Sequence, residues 1–339
     1  MARANAAYYA TRDPFADFIT APEIAQAFGE LLGAWAAVTW QAMGAPDPVL
    51  LVEAGPGRGT LMADALRLIN RVAPAFGAAL RLHLVETSPR LRAVQAEALA
   101  GRLATPITWH DRTQDLPDGP LILLANEFLD ALPIRQLVHG PGAGGWMERH
   151  VRDGGFVLHP GLPPPPPLDR RDVALGDVLE LCEPALAIVA LLARRVAQTP
   201  GAVLLLDYGP DQPGSGETLQ ALLGGQPADP LLRPGEADLT AHVDFPALAD
   251  VALEQGAAVH GPEGQGAFLS RLGLFARTER LARGRPPAEA RALLDAAHRL
   301  AAPERMGRLF KAMALCHPSI GVPPGFAVPD DGPATERTA

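Results

Sequence analysis

The spacing of apolar positions changes period several times along the chain, and each change marks an element. Residues 1–20 show no sustained period and read as irregular. Ile24, Phe28, Leu31, Leu32, Trp35 and Val38 then recur at helical spacing, which predicts one amphipathic helix to about Ala42. Thr20 is placed to cap it, Pro22 suits its first turn, and Glu23 completes the spacing of a capping box. At Val49–Glu53 the pattern becomes a short continuous apolar run, as expected of a strand buried on both faces of a parallel sheet. A helix over Thr60–Val72, a strand over Leu80–Glu86 and a helix from Ser88 to Leu103 follow, then short strands at Ile107–Trp109 and Leu121–Ala125. Strand and helix in alternation predict a doubly wound, Rossmann-like α/β sheet.

The stretch Ile134–His159 departs from this rhythm. Its three short β segments (Ile134–His139, Trp146–Arg152 and Phe156–His159), separated by glycine-rich turns, predict an inserted antiparallel meander. Five prolines, Pro163–Pro167, read as a stiff polyproline spacer after it. Beyond them, Asp177–Gln198 reads as a helix and Ala202–Asp207 as a fifth strand. Phe245–Gln255, Gly264–Leu272 and Pro287–Leu300 read as helices, and Ala312–Cys316 as a late strand. The expected organisation is a lid and helix over 1–48, the cofactor-binding half of a core over 49–133, the meander and spacer over 134–170, the rest of the core over 171–326, and a polar, proline-rich, disordered tail over 327–339.

Composition narrows the function. A 48% apolar content over 339 residues supplies a real core. The net charge of −9 argues against nucleic acid as a partner, and no apolar run is long enough to insert in a membrane. Two distant cysteines without a CxxC, and no apolar leader, point to a soluble cytoplasmic protein with no metal site. Of the 29 basic residues, 28 are arginine, and the single lysine is Lys311.

That shortage bears on the most informative segment, Val52-Glu53-Ala54-Gly55-Pro56-Gly57-Arg58-Gly59-Thr60. A strand, a glycine turn and a helix start set backbone N–H groups beside a ligand at the carboxyl edge of a sheet. The dinucleotide pattern GxGxxG is not met, because Thr60 stands at the third glycine position, and a phosphate loop needs a lysine that is absent. A plain tight turn is the alternative. Otherwise E-x-G-x-G-x-G resembles the first motif of class I S-adenosyl-L-methionine-dependent methyltransferases. In that resemblance Gly55, Gly57, Gly59 and Thr60 cradle the cofactor, Glu53 holds its ammonium, and Glu86, with Thr87 and Ser88, takes the ribose hydroxyls. Trp109 and His110 end the third strand where an adenine stacks, although Trp109 reads equally well as core.

Longer blocks sharpen the likeness. Tyr8–Ala10, Asp17–Ile24, Phe28–Leu31, Val52–Thr60, Ala125–Pro133, Asp207–Gly209, Asp238–Phe245 and Met306–Lys311 together resemble the MidA-type methyltransferases, a family that includes the mitochondrial complex I assembly arginine methyltransferase. The resemblance implies that Asp17–Glu23, with Thr20 and Pro22, folds across the cofactor mouth, and that Asn126–Asp130 lines the substrate side. It implies a protein substrate, the 49-kDa-type subunit of complex I, dimethylated on an arginine. Glu127 and Asp130 are then the candidates to clamp a guanidinium, with Asn126 beside them, and His242 to accept a proton. Asp130 as a turn cap and His242 as a structural histidine are the plainer readings, and Asp244 reads as a helix cap. The glycine-rich insertion usual after Asp13-Pro14-Phe15 and an extra amino-terminal helix are missing from the pattern, so a shorter, looser lid is expected. Two other functions stay open: an assembly chaperone that binds the cofactor without transferring methyl groups, and an NAD-dependent dehydrogenase, which the glycine spacing disfavours. Homodimerisation is left open.

Overall fold

A computed structural model describes residues 1–11, 19–141 and 145–328. The expectations for Asp13–Phe18 and for the tail beyond Val328 lie outside the described residues. The chain opens with helix α1 (Ala2–Thr11), a one-turn helix α2 (Ala21–Ile24) and helix α3 (Gln26–Ala42), and then enters the sheet at β1 (Val49–Ala54). Helices α4 (Thr60–Val72) and α5 (Pro74–Ala79) lead to β2 (Leu80–Val85), and α6 (Pro89–Ala98) leads to β3 (Thr108–His110) and β4 (Leu121–Asn126). A four-stranded antiparallel sheet follows, of β5 (Arg135–His139), β6 (Trp146–Arg152), β7 (Gly155–Pro160) and β8 (Val178–Leu181), in the order β7-β6-β5-β8. The main sheet resumes after α7 (Glu183–Gln198) with β9 (Gly201–Tyr208). A small three-stranded sheet is made by β10 (Gln220–Leu223), β11 (Gln226–Ala228) and β12 (Asp238–Thr240). Helix α8 (Phe245–Glu254), β13 (Ala258–Gly264), three helices α9 (Gln265–Arg271), α10 (Leu274–Ala282) and α11 (Pro287–Ala301), and β14 (Phe310–Cys316) complete it.

The main sheet runs β13-β14-β9-β4-β1-β2-β3. Strands β3, β2, β1, β4 and β9 are mutually parallel, and β14 returns antiparallel between β9 and β13. The doubly wound expectation therefore holds. The order reverses between β1 and β4, which neighbour each other although the chain leaves them in opposite directions. A crevice opens at such a switch point, outside the carboxyl ends of the strands. Here those ends are Ala54, paired with Ala125, and the glycine loop that follows.

Two apolar layers hold the sheet. One face buries Leu51, Leu82 and Leu124 against Phe28, Leu32 and Trp35 of α3 and Leu66 of α4. The other buries Val52, Leu123 and Val203 against Val189 and Leu192 of α7 and Phe245 and Leu248 of α8. Each fully buried Leu or Phe contributes about 1.5–3 kcal/mol before its ordering cost.

Several elements depart from the patterning. The expected helix 20–42 is broken at Ala25, whose extended backbone (φ −149°, ψ 122°) separates α2 from α3. Thr20 makes no side-chain cap bond, and the Glu23 carboxylate accepts from Thr60 Oγ1 at 2.5 Å, so the capping box is not formed. Residues 178–181, read as the start of a helix, are β8, the strand that closes the meander sheet beside β5. Residues 2–11 are helical rather than irregular: Met1 and Ala4 pack on Ala221 and Leu239 of the small sheet and on Ala237 beside it, and Tyr8 is fully buried.

Candidate active site

The crevice at the switch point is a cavity of about 900 Å³. Its floor is the end of β1 and the glycine loop, one wall is the β2–α6 connection and the loop after β3, and the other wall is the end of β4 and the turn after it. Helix α1 and Thr20–Glu23 cover it, and Pro184, Ala187 and Ile188 of α7 flank it.

The glycine loop needs its glycines for backbone reasons. Gly55, Gly57 and Gly59 have φ of +67°, +54° and +81°, a region that a Cβ makes costly. At Gly55 a Cβ would also stand 2.9 Å from the Phe128 ring, so the glycine allows β1 and the turn after β4 to meet. Gly59 leads directly into α4, whose first residue is Thr60. Glu53, on the last turn of β1, is buried, and its Oε2 has no hydrogen-bond partner among the described residues. Burial pushes its carboxyl up to about 8. A partnerless carboxyl oxygen on a residue that lines the cavity suits a cationic donor from a ligand.

Glu86 follows β2. Its Oε1 accepts from the Ser88 N–H at 2.7 Å, and its Oε2 accepts from Gln95 Nε2 at 3.3 Å. Burial raises its carboxyl, and these bonds partly offset that. Ser88 caps α6 through Leu91 N–H, with Pro89 in the first turn, as the sequence pattern predicts. Gln95 ties the wall together, since its amide also donates to Gly57 O at 2.8 Å and its oxygen accepts from Trp109 Nε1 at 2.9 Å.

Trp109 and His110 therefore stand apart from their expected place. Trp109 packs on the core behind Gln95, and His110 Nε2 lies 2.8 Å from His83 Nδ1 in a stacked pair. Neither lines the cavity. The loop just beyond, Asp111–Gln114, lines it instead. The position rule for ligands, beyond the strand end rather than on the strand, could have pointed to those four residues.

On the opposite wall Glu127 takes a left-handed backbone (φ +50°), and its N–H donates to Leu206 O at 2.8 Å. Its Oε1 accepts from the Ala21 N–H at 3.0 Å and from Asn126 Nδ2 at 3.1 Å. That contact ties the Thr20–Pro22 cover to the substrate wall. Burial raises the Glu127 carboxyl. Asn126 is buried, lines the cavity and leaves its Oδ1 without a partner among the described residues.

Asp130 is close by but does not line the cavity. Its Oδ2 accepts from Tyr208 Oη–H at 2.9 Å, so it is not a turn cap, and burial together with the Asp207 and Glu127 charges holds its carboxyl well above the usual range. Asp207, to which the sequence assigned no role, organises the turn. Its Oδ2 accepts from the N–H groups of Phe128, Leu129 and Asp130 at 3.0–3.3 Å, and its Oδ1 from the Tyr208 N–H at 2.9 Å. An acidic residue ending a central strand next to the block Asn126–Asp130 was the available signal.

His242 is a correction in placement. It lies on the far side of the Asp130 turn, where its N–H donates to Thr218 Oγ1 at 2.8 Å and its ring meets Tyr208 edge-on at 5.5 Å. Burial lowers its pKa, and it does not reach the cavity. The backbone after β12 runs along Tyr208, with Val243 N–H donating to Tyr208 O, and this turns the imidazole away. Asp244 caps α8 through the Ala247 N–H, as expected.

A doubly wound sheet with a glycine-loop crevice at its switch point, a partnerless buried carboxyl on the first strand and an acidic residue after the second defines a nucleoside-binding enzyme of the methyltransferase class. Residues 31–263 match the family model described as "Putative S-adenosyl-L-methionine-dependent methyltransferase", and the chain belongs to that family. It is 37% identical to the protein arginine methyltransferase NDUFAF7, mitochondrial, of Danio rerio over 91% of this chain and 79% of that protein. It is 35% identical to the Homo sapiens protein of the same name, over 91% and 76%. Among solved structures it resembles a superfamily member from Burkholderia thailandensis bound to S-adenosyl-homocysteine, with a TM-score of 0.75 and 29% identity over 91% of this chain and 81% of that one.

The cofactor is S-adenosyl-L-methionine, and the donor set suits it: a partnerless carboxyl oxygen on Glu53 for an ammonium, and a second carboxyl on Glu86 for paired hydroxyls. The cytoplasmic expectation is overturned, because the relatives are named as mitochondrial proteins and so point to mitochondria. Free thiols and a modest negative charge suit either reducing compartment, so composition could not separate them. Among the described residues no helix is long and apolar enough to cross a membrane.

Proposed function

We propose that the protein transfers methyl groups to an arginine of a protein substrate, dimethylating it, and that the client is a complex I core subunit of the 49-kDa type. The observation that carries this reading is the cavity wall made by Asn126 and Glu127, two residues with acceptor oxygens that line it together with Glu53 and the glycine-loop floor. The arginine chemistry is supported by the names of the relatives, and the client by the likeness of the long motif blocks to the MidA type.

Glu53 and the loop Gly55–Thr60 hold the methionine end of the cofactor, while Glu86, Thr87 and Ser88 hold the ribose. When bound, the cofactor supplies an electrophilic methyl group on a sulfonium. The chain's own task is alignment and exclusion of water, because a guanidinium is a poor nucleophile that carries its charge at any working pH. Glu127 Oε1 is committed to Ala21 and Asn126, which leaves Oε2 to meet the guanidinium. As the N–C bond forms and the S–C bond breaks, the sulfur keeps the electron pair and the attacking nitrogen gives up one proton. Glu127, a carboxyl already raised by burial, is placed to take it. Asp130 and Asp207 act from behind, by holding the turn that carries Glu127.

Mass spectrometry of the 49-kDa-type subunit from cells carrying Glu127→Ala tests the reading. Loss of arginine methylation is expected; an unchanged methylation state removes Glu127 from the mechanism.

A further inference from the structure

Asn5 stands outside every motif block, yet it is buried in the roof of the cavity, 6% exposed. Its Nδ2 donates to two main-chain carbonyls, Ala131 O and Leu239 O, each at 2.8 Å. Two acceptors on that atom settle the orientation of the amide, since an oxygen there would face two carbonyl oxygens. Its Oδ1 is left buried with no partner among the described residues. A lone buried acceptor costs roughly 1–3 kcal/mol unless a ligand supplies the donor. Asn126 repeats the arrangement across the cavity: its Nδ2 is spent on Glu127, and its Oδ1 is buried and partnerless. The two residues are linked through one short turn, because Ala131 is five residues beyond Asn126.

We infer that the amide oxygens of Asn5 and Asn126 form a neutral seat for the target guanidinium, entered between α1 and α7. The inference rests on the arginine reading above and adds how the side chain is recognised. A guanidinium presents five N–H donors in one plane and needs acceptors spread around it. Amide oxygens take those hydrogen bonds without adding charge. A second carboxylate would hold the proton on the cation and work against release of the nitrogen lone pair. The walls beside Asn5 (Ala2, Ala6, Leu132, Ala187 and Ile188) are apolar and suit the aliphatic stem of an arginine.

The test compares N-acetyl-L-arginine methylamide with its citrulline analogue, titrated into the full chain saturated with S-adenosyl-homocysteine. Citrulline replaces one donor group by an oxygen, which an amide acceptor repels. Wild type is expected to prefer the arginine probe by at least about tenfold, and Asn5→Leu to lower that preference about tenfold while S-adenosyl-homocysteine affinity changes less than about threefold, the size of one charge-assisted hydrogen bond. If Asn5→Leu weakens both probes by the same factor, Asn5 only tethers α1 and the inference falls. It falls equally if wild type shows no preference or if the arginine affinity of Asn5→Leu is unchanged. Should Asn5→Leu fail to fold, Asn126→Leu, which removes the other seat oxygen, is expected to lower the arginine preference about tenfold, and an unchanged preference overturns the seat. Wild type that prefers the arginine probe yet methylates no arginine would sink the proposed function while leaving the seat standing.

Discussion

Glu53 and Asp207 are both buried carboxyls, and they differ in what meets them. Glu53 meets nothing at Oε2, so burial holds its proton until about pH 8. A group raised in the folded state but ordinary in the unfolded one makes folding less favourable as pH rises between the two values. Chemical denaturation from pH 5 to pH 8.5 should therefore destabilise the wild type relative to Glu53→Gln. Over the same range S-adenosyl-L-methionine should bind the wild type more tightly, because the carboxylate form pairs with the ammonium, and titration calorimetry of Glu53→Gln should show an affinity at least about tenfold weaker with no such rise. Asp207 has four N–H donors, so it is the better place for a charge, although burial still pushes it up to about 7. The partnerless Oδ1 of its neighbour Asp130 makes that residue the natural holder of the proton. Asp207→Asn keeps the size but replaces one accepting oxygen with a donor, and it should cost about 2–3 kcal/mol in stability. Its methyl-transfer kcat should fall more than its S-adenosyl-L-methionine affinity, because it frees the Glu127 turn and leaves the Glu53 floor intact.

At the scale of elements, two glycines decide how pieces meet. Gly55→Ala forces a side chain into a left-handed position and against Phe128, so cofactor binding should be lost or weakened at least about a hundredfold in calorimetry. At Gly209 a Cβ would lie 2.0 Å from Val243 O, so the 241–244 segment could no longer lie along β9. Gly209→Ala should lower the denaturation free energy by more than about 2 kcal/mol. The strands β1, β4 and β9 were legible in the sequence because buried parallel strands are continuous apolar runs between turns, β2 because its leucines alternate at strand period, and helix α4 because its apolar residues recur at helical spacing. What escaped detection was shorter or weaker in contrast. Strands β10 and β11 are four and three residues long and joined by Gly224-Gly225, both at positive φ, a hairpin signal that was present but overlooked. Helix α1 is half alanine, so its buried face carries little hydropathic contrast even though alanine favours a helix. The cofactor floor was legible for the same reason as β1. The amide of Asn5 was not, because it takes its place only when segments far apart in sequence meet, whereas Asp207 and the Asp111–Gln114 wall stand at strand ends and carried a positional signal.

For the whole molecule, the sheet reversal between β1 and β4 brings together a floor from the first half of the chain and a wall from its middle, and α1 and α2 close over both. Glu127 joins these parts: its Oε1 accepts from the Ala21 N–H of the cover, and the residue lines the cavity. On the proposed mechanism, a binding-only chaperone would need the floor and the cover alone, whereas methyl transfer would need Glu127 as well. The most direct measurement incubates the purified protein with methyl-deuterated S-adenosyl-L-methionine and the complex I 49-kDa-type subunit, and maps the label by mass spectrometry. The account predicts deuterated methyl groups on an arginine with wild type and at least a hundredfold less with Glu127→Gln, which keeps an acceptor for the Ala21 N–H, while cofactor affinity changes little. Full cofactor binding with no label on any arginine would contradict it.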